Sequence, residues 1–137
     1  MTIELDSNNH SVFSLNYHLI LVIKYRKKVL TNQKMLLRLR EIAEYIGISH
    51  NVKIKEMNGE TDHVHFLLRT KPNCELSKYI NAMKSATSRL LKKEFPEIKK
   101  KLWEESFWTT SYCLVSVGSA PINVLKRYIK SQGGVEH

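Results

Sequence analysis

Apolar and polar positions recur along the chain with two different periods, one typical of strands and one typical of helices. Residues 11–22 alternate at first and then become continuously apolar, which predicts a strand that is buried on both faces. Apolar residues recur at spacings of three and four in residues 31–47 and again in 76–95. Each of these two stretches predicts an amphipathic helix.

Turn and capping residues set the expected ends of these elements. Thr31 is predicted to cap the first helix and Gly47 to end it. Residues 52–57 alternate, and the Asn58-Gly59 pair predicts a tight turn. The sequence therefore predicts a hairpin whose second strand follows this turn.

The C-terminal third of the chain predicts one more strand and one more helix. Residues 97–101 read as a short charged connector or a turn of helix, and residues 105–117 are rich in aromatic and β-branched residues, which favours a strand. Ser119 and Pro121 are suited to the start of a final helix, expected at about 120–132.

The order strand, helix, strand, strand, helix, strand predicts an α+β, ferredoxin-like split βαβ fold, with a four-stranded antiparallel sheet and helices on one face. Apolar Val64, Phe66 and Leu68 should lie under those helices, so His63 and His65 should face the other side. The terminal helix is the element expected to cover that side. We expect one domain over residues 1–137, with its core at about 11–117.

The net positive charge of the chain indicates what kind of partner it binds. Twenty-two Lys and Arg against thirteen Asp and Glu give a formal charge of +9 over 137 residues, which indicates a polyanionic partner. Nucleic acid leads, with a membrane surface as the competing partner, although no apolar run approaches the roughly 20 residues of a spanning helix.

Because the N-terminus lacks the blocks of a secretory signal, we expect a cytoplasmic protein. Cys74 and Cys113 are isolated thiols and are expected to be core or surface residues of a reduced compartment.

Basic residues with an aromatic among them follow the first strand at residues 24–28, and others lie along the second helix. Either feature could be a solvated surface, as most charge runs are, or a place where phosphates are held and a base is stacked. The residues that would contact DNA are Lys24, Tyr25, Arg26, Lys27, Lys84 and Arg89.

Two pairs of residues could form a metal-dependent site. His63 and His65 are two apart on a strand, and Tyr128 and Gln132 are four apart on a helix, so each pair shares a face. Each pair alone is more often structural than catalytic. Together, two imidazoles and an amide oxygen could bind a divalent cation, with the tyrosine as nucleophile.

A tyrosine nucleophile suits reversible phosphodiester cleavage, because a phenolate both attacks and leaves well. Its pKa near 10 makes the phenol weak at neutral pH. Either the metal or neighbouring cations on the same helix, Lys126, Arg127 and Lys130, would have to help.

Four stretches in order resemble the single-tyrosine HUH transposases of the smallest bacterial and archaeal insertion sequences, within the superfamily of REP-associated tyrosine transposases. They are Tyr17-His18-Leu19-Ile20, residues 24–27, Asp62-His63-Val64-His65 and residues 117–124, followed by Tyr128 and Gln132. The resemblance covers nearly the whole chain and implies the same ferredoxin-like fold with an added catalytic helix.

The resemblance implies a nickase and strand transferase that depends on Mg²⁺ or Mn²⁺ and acts on single-stranded DNA with hairpins near the element ends. In such an enzyme His63, His65 and Gln132 would ligate the metal. Tyr128 would form a 5′-phosphotyrosine link and release a 3′-hydroxyl. The resemblance also implies a homodimer, in which the tyrosine helix of one subunit often completes the histidine pair of the other.

Two alternatives remain open at this point. A domesticated relative would process genomic hairpins without mobilising an element. A non-catalytic module would instead bind single strands of RNA or DNA by charge and by stacking on Tyr25, Trp103 or Trp108.

Overall fold

A computed structural model describes residues 6–7, 12–13, 15–102, 106–117 and 122–133, with side chains from residue 15 onwards except at 122–124. The strands are β1 (Asp6–Ser7), β2 (Val12–Phe13), β3 (Asn16–Val22), β4 (Val52–Gly59), β5 (His63–Thr70) and β6 (Cys113–Ser116). The helices are α1 (Gln33–His50), α2 (Leu76–Glu94), α3 (Pro96–Leu102) and α4 (Ile122–Gln132), and a 3-10 turn spans Lys24–Arg26.

The main sheet has the strand order β4-β5-β3-β6, and every neighbouring pair is antiparallel. The first and third strands of the split βαβ pattern, β3 and β5, are therefore central. This confirms the predicted α+β, ferredoxin-like architecture. The first strand is shorter than predicted, because Val12–Phe13 pairs with Asp6–Ser7 in a separate two-stranded sheet and β3 begins only at Asn16.

The two faces of the sheet are covered by different helices. On one face Leu19, Val64 and Phe66 are fully buried in the core formed with α1 and α2. On the other face Ile20 and Val22 form a second apolar cluster with Leu125 of α4. The terminal helix thus covers the side of the sheet that α1 and α2 leave open, as expected.

Helix α1 begins and ends later than predicted. Asn32, not Thr31, is the N-cap, and its Oδ1 accepts a hydrogen bond from the Met35 backbone N–H at 3.0 Å. The helix continues through Gly47 and ends at Asn51, which is left-handed with φ 59°. Gly47 is there for packing, because an added Cβ would lie 2.5 Å from the carbonyl oxygen of Val52. A glycine that accommodates a close approach is not distinguishable in sequence from one that stops a helix.

The predicted Asn58-Gly59 turn is wrong in position. Both residues are paired within β4, opposite His65 and Val64, and the chain turns at residues 60–62 instead. This turn is held by the segment after β3: Asp62 O accepts from Ile23 N at 2.9 Å, and Thr61 O from Val29 N at 3.0 Å. Those contacts bring Asp62 to the end of β3.

The predicted fourth strand is also shorter, since within the described residues 106–117 only Cys113–Ser116 is a strand. Phe107 and Trp108 are buried in the core, and the indole N–H of Trp108 donates to Thr87 Oγ1 at 3.0 Å. The aromatic residues reflect burial of a loop rather than a longer strand. The predicted charged connector at residues 97–101 forms α3. The start expected for the final helix, residues 118–121, lies outside the described residues, and so does Trp103.

The thiols of Cys74 and Cys113 lie at the edges of the apolar clusters, as expected for packing residues. Cys74 and Cys113 are free and half-buried, and each packs against one of the two apolar clusters. Burial raises the pKa of both thiols, which disfavours reactive thiolates. Within the part of the chain that the structure describes, no helix is long and apolar enough to cross a bilayer.

Candidate active site

His63 and His65 lie at the start of β5, on the sheet face that α4 covers. In the register of the sheet His63 is opposite Val22 and His65 is opposite Ile20, and both histidines are half-buried. Val64, between them, is fully buried under α1 and α2. The alternation predicted for this strand is therefore confirmed, and the two imidazoles share one face.

Asp62 fixes the orientation of His63. Its Oδ1 accepts from His63 Nδ1 at 2.8 Å, while its Oδ2 accepts from Arg26 Nε at 3.0 Å. Burial opposes ionisation of this carboxyl, but the hydrogen bonds from His63 and Arg26 outweigh burial and lower the pKa of Asp62. An ionised Asp62 can only accept, so Nδ1 of His63 carries a proton, and in the neutral ring Nε2 has the lone pair.

His65 contacts a third imidazole. Its Nε2 lies 2.8 Å from Nδ1 of His18, and the two ring centroids are 4.9 Å apart. Burial, and then the neighbouring His18, lower the pKa of His65, which favours the neutral ring. Sequence reasoning assigned no role to His18, although it lies two residues before Ile20 and so faces the same side as His65.

Tyr128 and Gln132 lie on one face of α4 and share a partner, Ser111. The Oη of Tyr128 is 2.9 Å from Ser111 Oγ, and Ser111 Oγ donates to Oε1 of Gln132 at 3.3 Å. A serine hydroxyl has one hydrogen, so a serine that donates to Gln132 accepts from the tyrosine. Ser111 lies in the loop before β6, and sequence reasoning did not single it out.

The phenol of Tyr128 is harder to ionise than an exposed tyrosine. Burial raises the pKa of Tyr128, and the hydroxyls of Ser111 and Thr109, which can turn their hydrogens toward a phenolate, oppose that rise only in part. The three helix cations that were candidates to lower this pKa, Lys126, Arg127 and Lys130, have exposed side chains. Both sources of help considered from the sequence, these cations and a metal ion, stay predictions.

The basic loop at residues 24–28 lies beside α4, the helix that carries Tyr128. Lys24 and Tyr25 line a cleft of about 300 Å³ with Ser111, Ser131 and Gln132, and Thr109 and Thr110 complete its wall. The Lys24 ammonium lies 5.2 Å from the centre of the Tyr25 ring. Two residues predicted to contact DNA are thus brought next to a predicted metal ligand.

The other four predicted DNA contacts have different surroundings. Arg26 bonds Asp62, and Lys27 Nζ donates to the carbonyl oxygen of Lys101 at 2.9 Å. Lys84 is half-buried, and its Nζ donates to the carbonyl oxygens of Thr109 at 2.9 Å and Thr110 at 3.1 Å. Arg89 is exposed on α2. Their contacts with DNA stay predictions.

The two halves of the candidate site flank β3. Val22 pairs with His63 on one side and accepts a backbone hydrogen bond from Thr109, which is near Ser111, at 2.8 Å on the other. Two strand spacings, roughly 10 Å, therefore separate the β5 side from the β6 side. The described residues include no cluster of three or more His, Cys, Asp or Glu side chains arranged to hold a metal. Gln132, the third ligand predicted from the sequence, is of another residue type and stays a prediction.

Comparison with known proteins identifies the family. Residues 11–132 match the model of the IS200-like transposases. The chain belongs to this family. The transposase is 31% identical over 132 residues to the ISDra2 transposase TnpA of Deinococcus radiodurans, covering 96% of this chain and 94% of that protein. It is 29% identical over 126 residues to the transposase of insertion sequence IS200 from Salmonella typhimurium, covering 90% and 80% of the two chains.

Solved structures share the fold of the transposase. A crystal structure of a transposase candidate from Deinococcus radiodurans R1 superposes with a TM-score of 0.83 and 28% identity, over 95% of this chain and 99% of that one. A REP-associated tyrosine transposase bound to a REP hairpin superposes with a TM-score of 0.55 and 8% identity, over 90% and 67% of the two chains. The predicted family is confirmed, and the second structure supports the fold.

Proposed function

We propose that this transposase nicks and rejoins one strand of DNA through a covalent bond to Tyr128. The observation that carries the proposal is that Tyr128 and Gln132 share Ser111 as a partner on the sheet face where His63 and His65 lie. A nucleophile, an amide oxygen and two imidazoles on one face are the groups that this chemistry requires.

The covalent step follows from the chemistry of a phenol. The Oη of Tyr128 forms a bond to the phosphorus, the bond from phosphorus to the 3′ oxygen breaks, and the phenolic proton passes to water. The 3′ oxygen leaves and takes up a proton. The products are a 5′-phosphotyrosine and a free 3′-hydroxyl, and attack of a 3′-hydroxyl on the phosphotyrosine reverses the step and seals a new joint.

The residues fit a divalent metal ion, for which we propose Mg²⁺ or Mn²⁺. Asp62 occupies Nδ1 of His63, so Nε2 can donate its lone pair to a metal, and the lowered pKa of His65 favours the neutral ring that metal binding needs. Gln132 would add a carboxamide oxygen. A bound divalent ion would polarise the scissile phosphate and offset the charge that develops on it.

We propose single-stranded DNA with hairpins at the element ends as the substrate. The formal charge of +9 and the cleft that contains Lys24 and Tyr25 beside Gln132 support a phosphate backbone at this end of the sheet. One structural relative is bound to a REP hairpin, which also favours a hairpin ligand for this chain.

We also propose that the transposase acts as a homodimer with composite active sites. In the single chain α4 packs on its own sheet through Leu125, and the histidine and tyrosine halves each hydrogen-bond within themselves. Each half hydrogen-bonds within itself and not with the other half, which favours an active form in which α4 moves or comes from a second chain.

The test is formation of a covalent protein–DNA adduct. The transposase is incubated with single-stranded hairpin DNA and Mg²⁺, and the adduct is detected by denaturing electrophoresis. We expect an adduct that Tyr128→Phe abolishes, while Tyr112→Phe, the matched control, leaves it intact. An adduct that survives Tyr128→Phe, or none with the wild-type protein, would contradict the proposal.

Two further measurements separate the alternatives. A non-catalytic binding module predicts unchanged hairpin binding and no metal requirement after His63→Ala and His65→Ala, and it predicts no adduct. A domesticated enzyme and a mobile-element enzyme would behave alike in vitro. The presence or absence of element ends flanking the gene distinguishes these two.

A further inference from the structure

We propose that Arg26 is a positioning residue that couples the two halves of the active site. Its Nε bonds Asp62, which in turn bonds His63, and its side chain lies against Gly133, the residue that follows Gln132 at the end of α4. The proposal rests on the proposed function, because it treats His63 and Gln132 as parts of one site.

The first contact of Arg26 acts on the metal half. The two oxygens of Asp62 have different partners, since Oδ2 accepts from Arg26 and Oδ1 accepts from His63. Arg26 therefore fixes the rotation of the carboxylate and selects the tautomer of His63 in which Nε2 is the acceptor. The Asp62 side chain is only 12% exposed, so solvent screens this chain of contacts weakly.

The second contact acts on the tyrosine half. A Cβ at Gly133 would meet the Arg26 side chain, with Nη1 only 2.7 Å away. Gly133 also closes α4 with a hydrogen bond from its N–H to Lys130 O at 3.1 Å. A guanidinium at this end is favourable, because the C-terminus of a helix carries partial negative charge. The Arg26 side chain thus fills the space that a side chain at position 133 would need, beside the end of the helix that carries Gln132.

The backbone conformation of the turn at residues 24–26 sets the direction of the Arg26 side chain. Tyr25 and Arg26 have φ angles of 58° and 52°, a left-handed conformation that residues other than glycine rarely adopt. Such strain persists only where surrounding contacts hold it, and here Lys24 N donates to Phe107 O at 3.0 Å and Arg26 N to Ile23 O at 2.7 Å. Two strained residues in a row, held in this way, place the guanidinium between Asp62 and Gly133.

The competing role for Arg26 is the DNA contact predicted from the sequence. The two roles differ in what they change in metal-free, DNA-free protein. A residue that only binds phosphate has no effect on the tautomer of His63. A positioning residue has one, because Asp62 loses the partner that fixes its rotation.

The experiment measures the ring nitrogens of His63 by ¹⁵N NMR in the metal-free full chain and Mn²⁺ affinity by calorimetry. In wild-type protein we expect the tautomer with the proton on Nδ1. Arg26→Gln should give a mixture of tautomers and weaken Mn²⁺ binding about tenfold, the lower end of effects seen for partners of metal ligands. Arg26→Lys should not restore either value, because an ammonium lacks the planar fork of donors.

Lys28→Gln is the matched control, since Lys28 is exposed in the same loop and the charge change is identical. It should leave the His63 tautomer and the Mn²⁺ affinity unchanged. If Arg26→Gln behaves like Lys28→Gln in both measurements and weakens only DNA binding, Arg26 is a DNA contact and the proposal is wrong.

A second variant keeps the test decisive if Arg26→Gln fails to fold. Gly133→Ala adds a methyl group that must displace the Arg26 side chain, and it should shift the His63 tautomer while circular dichroism stays unchanged. An unshifted tautomer in a folded Gly133→Ala protein would refute the coupling. If wild-type protein binds no Mn²⁺, the proposed metal chemistry fails, and the tautomer measurements still decide the role of Arg26.

Discussion

Tyr128 is the residue whose surroundings most directly govern the proposed chemistry. Its half-buried phenol has a raised pKa and bonds a neutral hydroxyl, so the resting tyrosine is protonated and unreactive. The pH dependence of the reaction therefore reports on what changes when DNA and metal arrive.

We expect the single-turnover rate of adduct formation to rise roughly tenfold per pH unit between about pH 7 and 9. The reason is that a phenol with a pKa above 10 gains phenolate in that proportion throughout this range. Rapid-quench measurements on hairpin DNA would show it. A plateau at or below pH 8 would instead mean that bound substrate and metal lower the pKa of Tyr128 by more than two units.

His18 would compete with the proposed metal ion for Nε2 of His65 when His18 Nδ1 is the donor in their hydrogen bond. A lone pair on Nε2 that accepts from His18 cannot serve a metal at the same time, and one such hydrogen bond is worth about 0.5–1.5 kcal/mol. We expect His18→Phe to tighten Mn²⁺ binding by roughly two- to tenfold, measured by calorimetry. Tyr17→Phe, next to it in β3, is the control. Weaker binding in His18→Phe would show that His18 is itself a ligand.

The three polar partners His18, Asp62 and Ser111 explain why residue-level prediction was incomplete. The shared faces of His63 with His65 and of Tyr128 with Gln132 follow from strand and helix periods alone. Partners from other elements depend on strand register and loop path, which no local pattern contains. The sequence accordingly identified the faces but not the hydrogen bonds that orient the groups on them.

At the scale of elements, α2 supports the tyrosine half from the opposite side of the fold. Lys84 Nζ bonds the carbonyl oxygens of Thr109 and Thr110, and Thr87 accepts from the indole of Trp108. The segment pinned in this way leads directly to Ser111. Helix α2 therefore positions the hydroxyl that Tyr128 and Gln132 share.

Lys84→Met should lower both stability and the rate of adduct formation. The change keeps most of the apolar stem but leaves two carbonyl oxygens without the ammonium. We expect a loss of about 1–2 kcal/mol in the free energy of unfolding, measured by urea denaturation, and a roughly tenfold slower reaction. Lys78→Met is the control, because Lys78 is exposed and its ammonium pairs with Glu75, the residue just before α2. Unchanged stability together with weaker hairpin binding would contradict this role and would support the DNA contact predicted for Lys84 from the sequence.

Element order was predictable from the sequence because hydrophobic periods survive single-residue exceptions. Element ends were not, since they depend on contacts between segments. Helix α1 continues past Gly47, where the absence of a side chain leaves room for the carbonyl oxygen of Val52. Asn58 and Gly59 stay paired in β4, because residues 61–62, which follow them, bond the loop after β3 and form the turn. Tertiary contacts overrode local turn and stop signals in both cases.

At the scale of the whole molecule, positive charge extends from the cleft across two segments. Lys27 Nζ bonds Lys101 O, and Lys101 Nζ bonds Lys28 O at 2.8 Å, so the loop at 24–28 and α3 are joined. Lys99 and Lys100 are exposed on this helix. A nucleic acid that enters the cleft would therefore find further cations along α3.

Replacing Lys99 and Lys100 with Gln should reduce the salt dependence of hairpin binding. Each lost phosphate contact lowers the slope of log affinity against log salt by about 0.7 to 0.9, so for two contacts we expect a decrease of roughly 1.4 to 1.8. Fluorescence anisotropy at several salt concentrations measures this slope. The double variant at Lys53 and Lys71, exposed residues at the sheet end away from His63, removes equal charge and should change the slope less. Equal slopes in the two variants would mean that α3 does not contact DNA.

The shallow attachment of α4 has a consequence for how the protein opens. The described side chains of α4, residues 125–132, pack on a small apolar cluster with Ile20 and Val22, whereas α1 and α2 pack on the much larger main core. Local unfolding follows the regions with the least buried apolar contact. The backbone amides of α4 should therefore exchange with solvent long before those of β3 and β5. The helix that carries the nucleophile would then leave the sheet and return while the rest of the molecule stays folded.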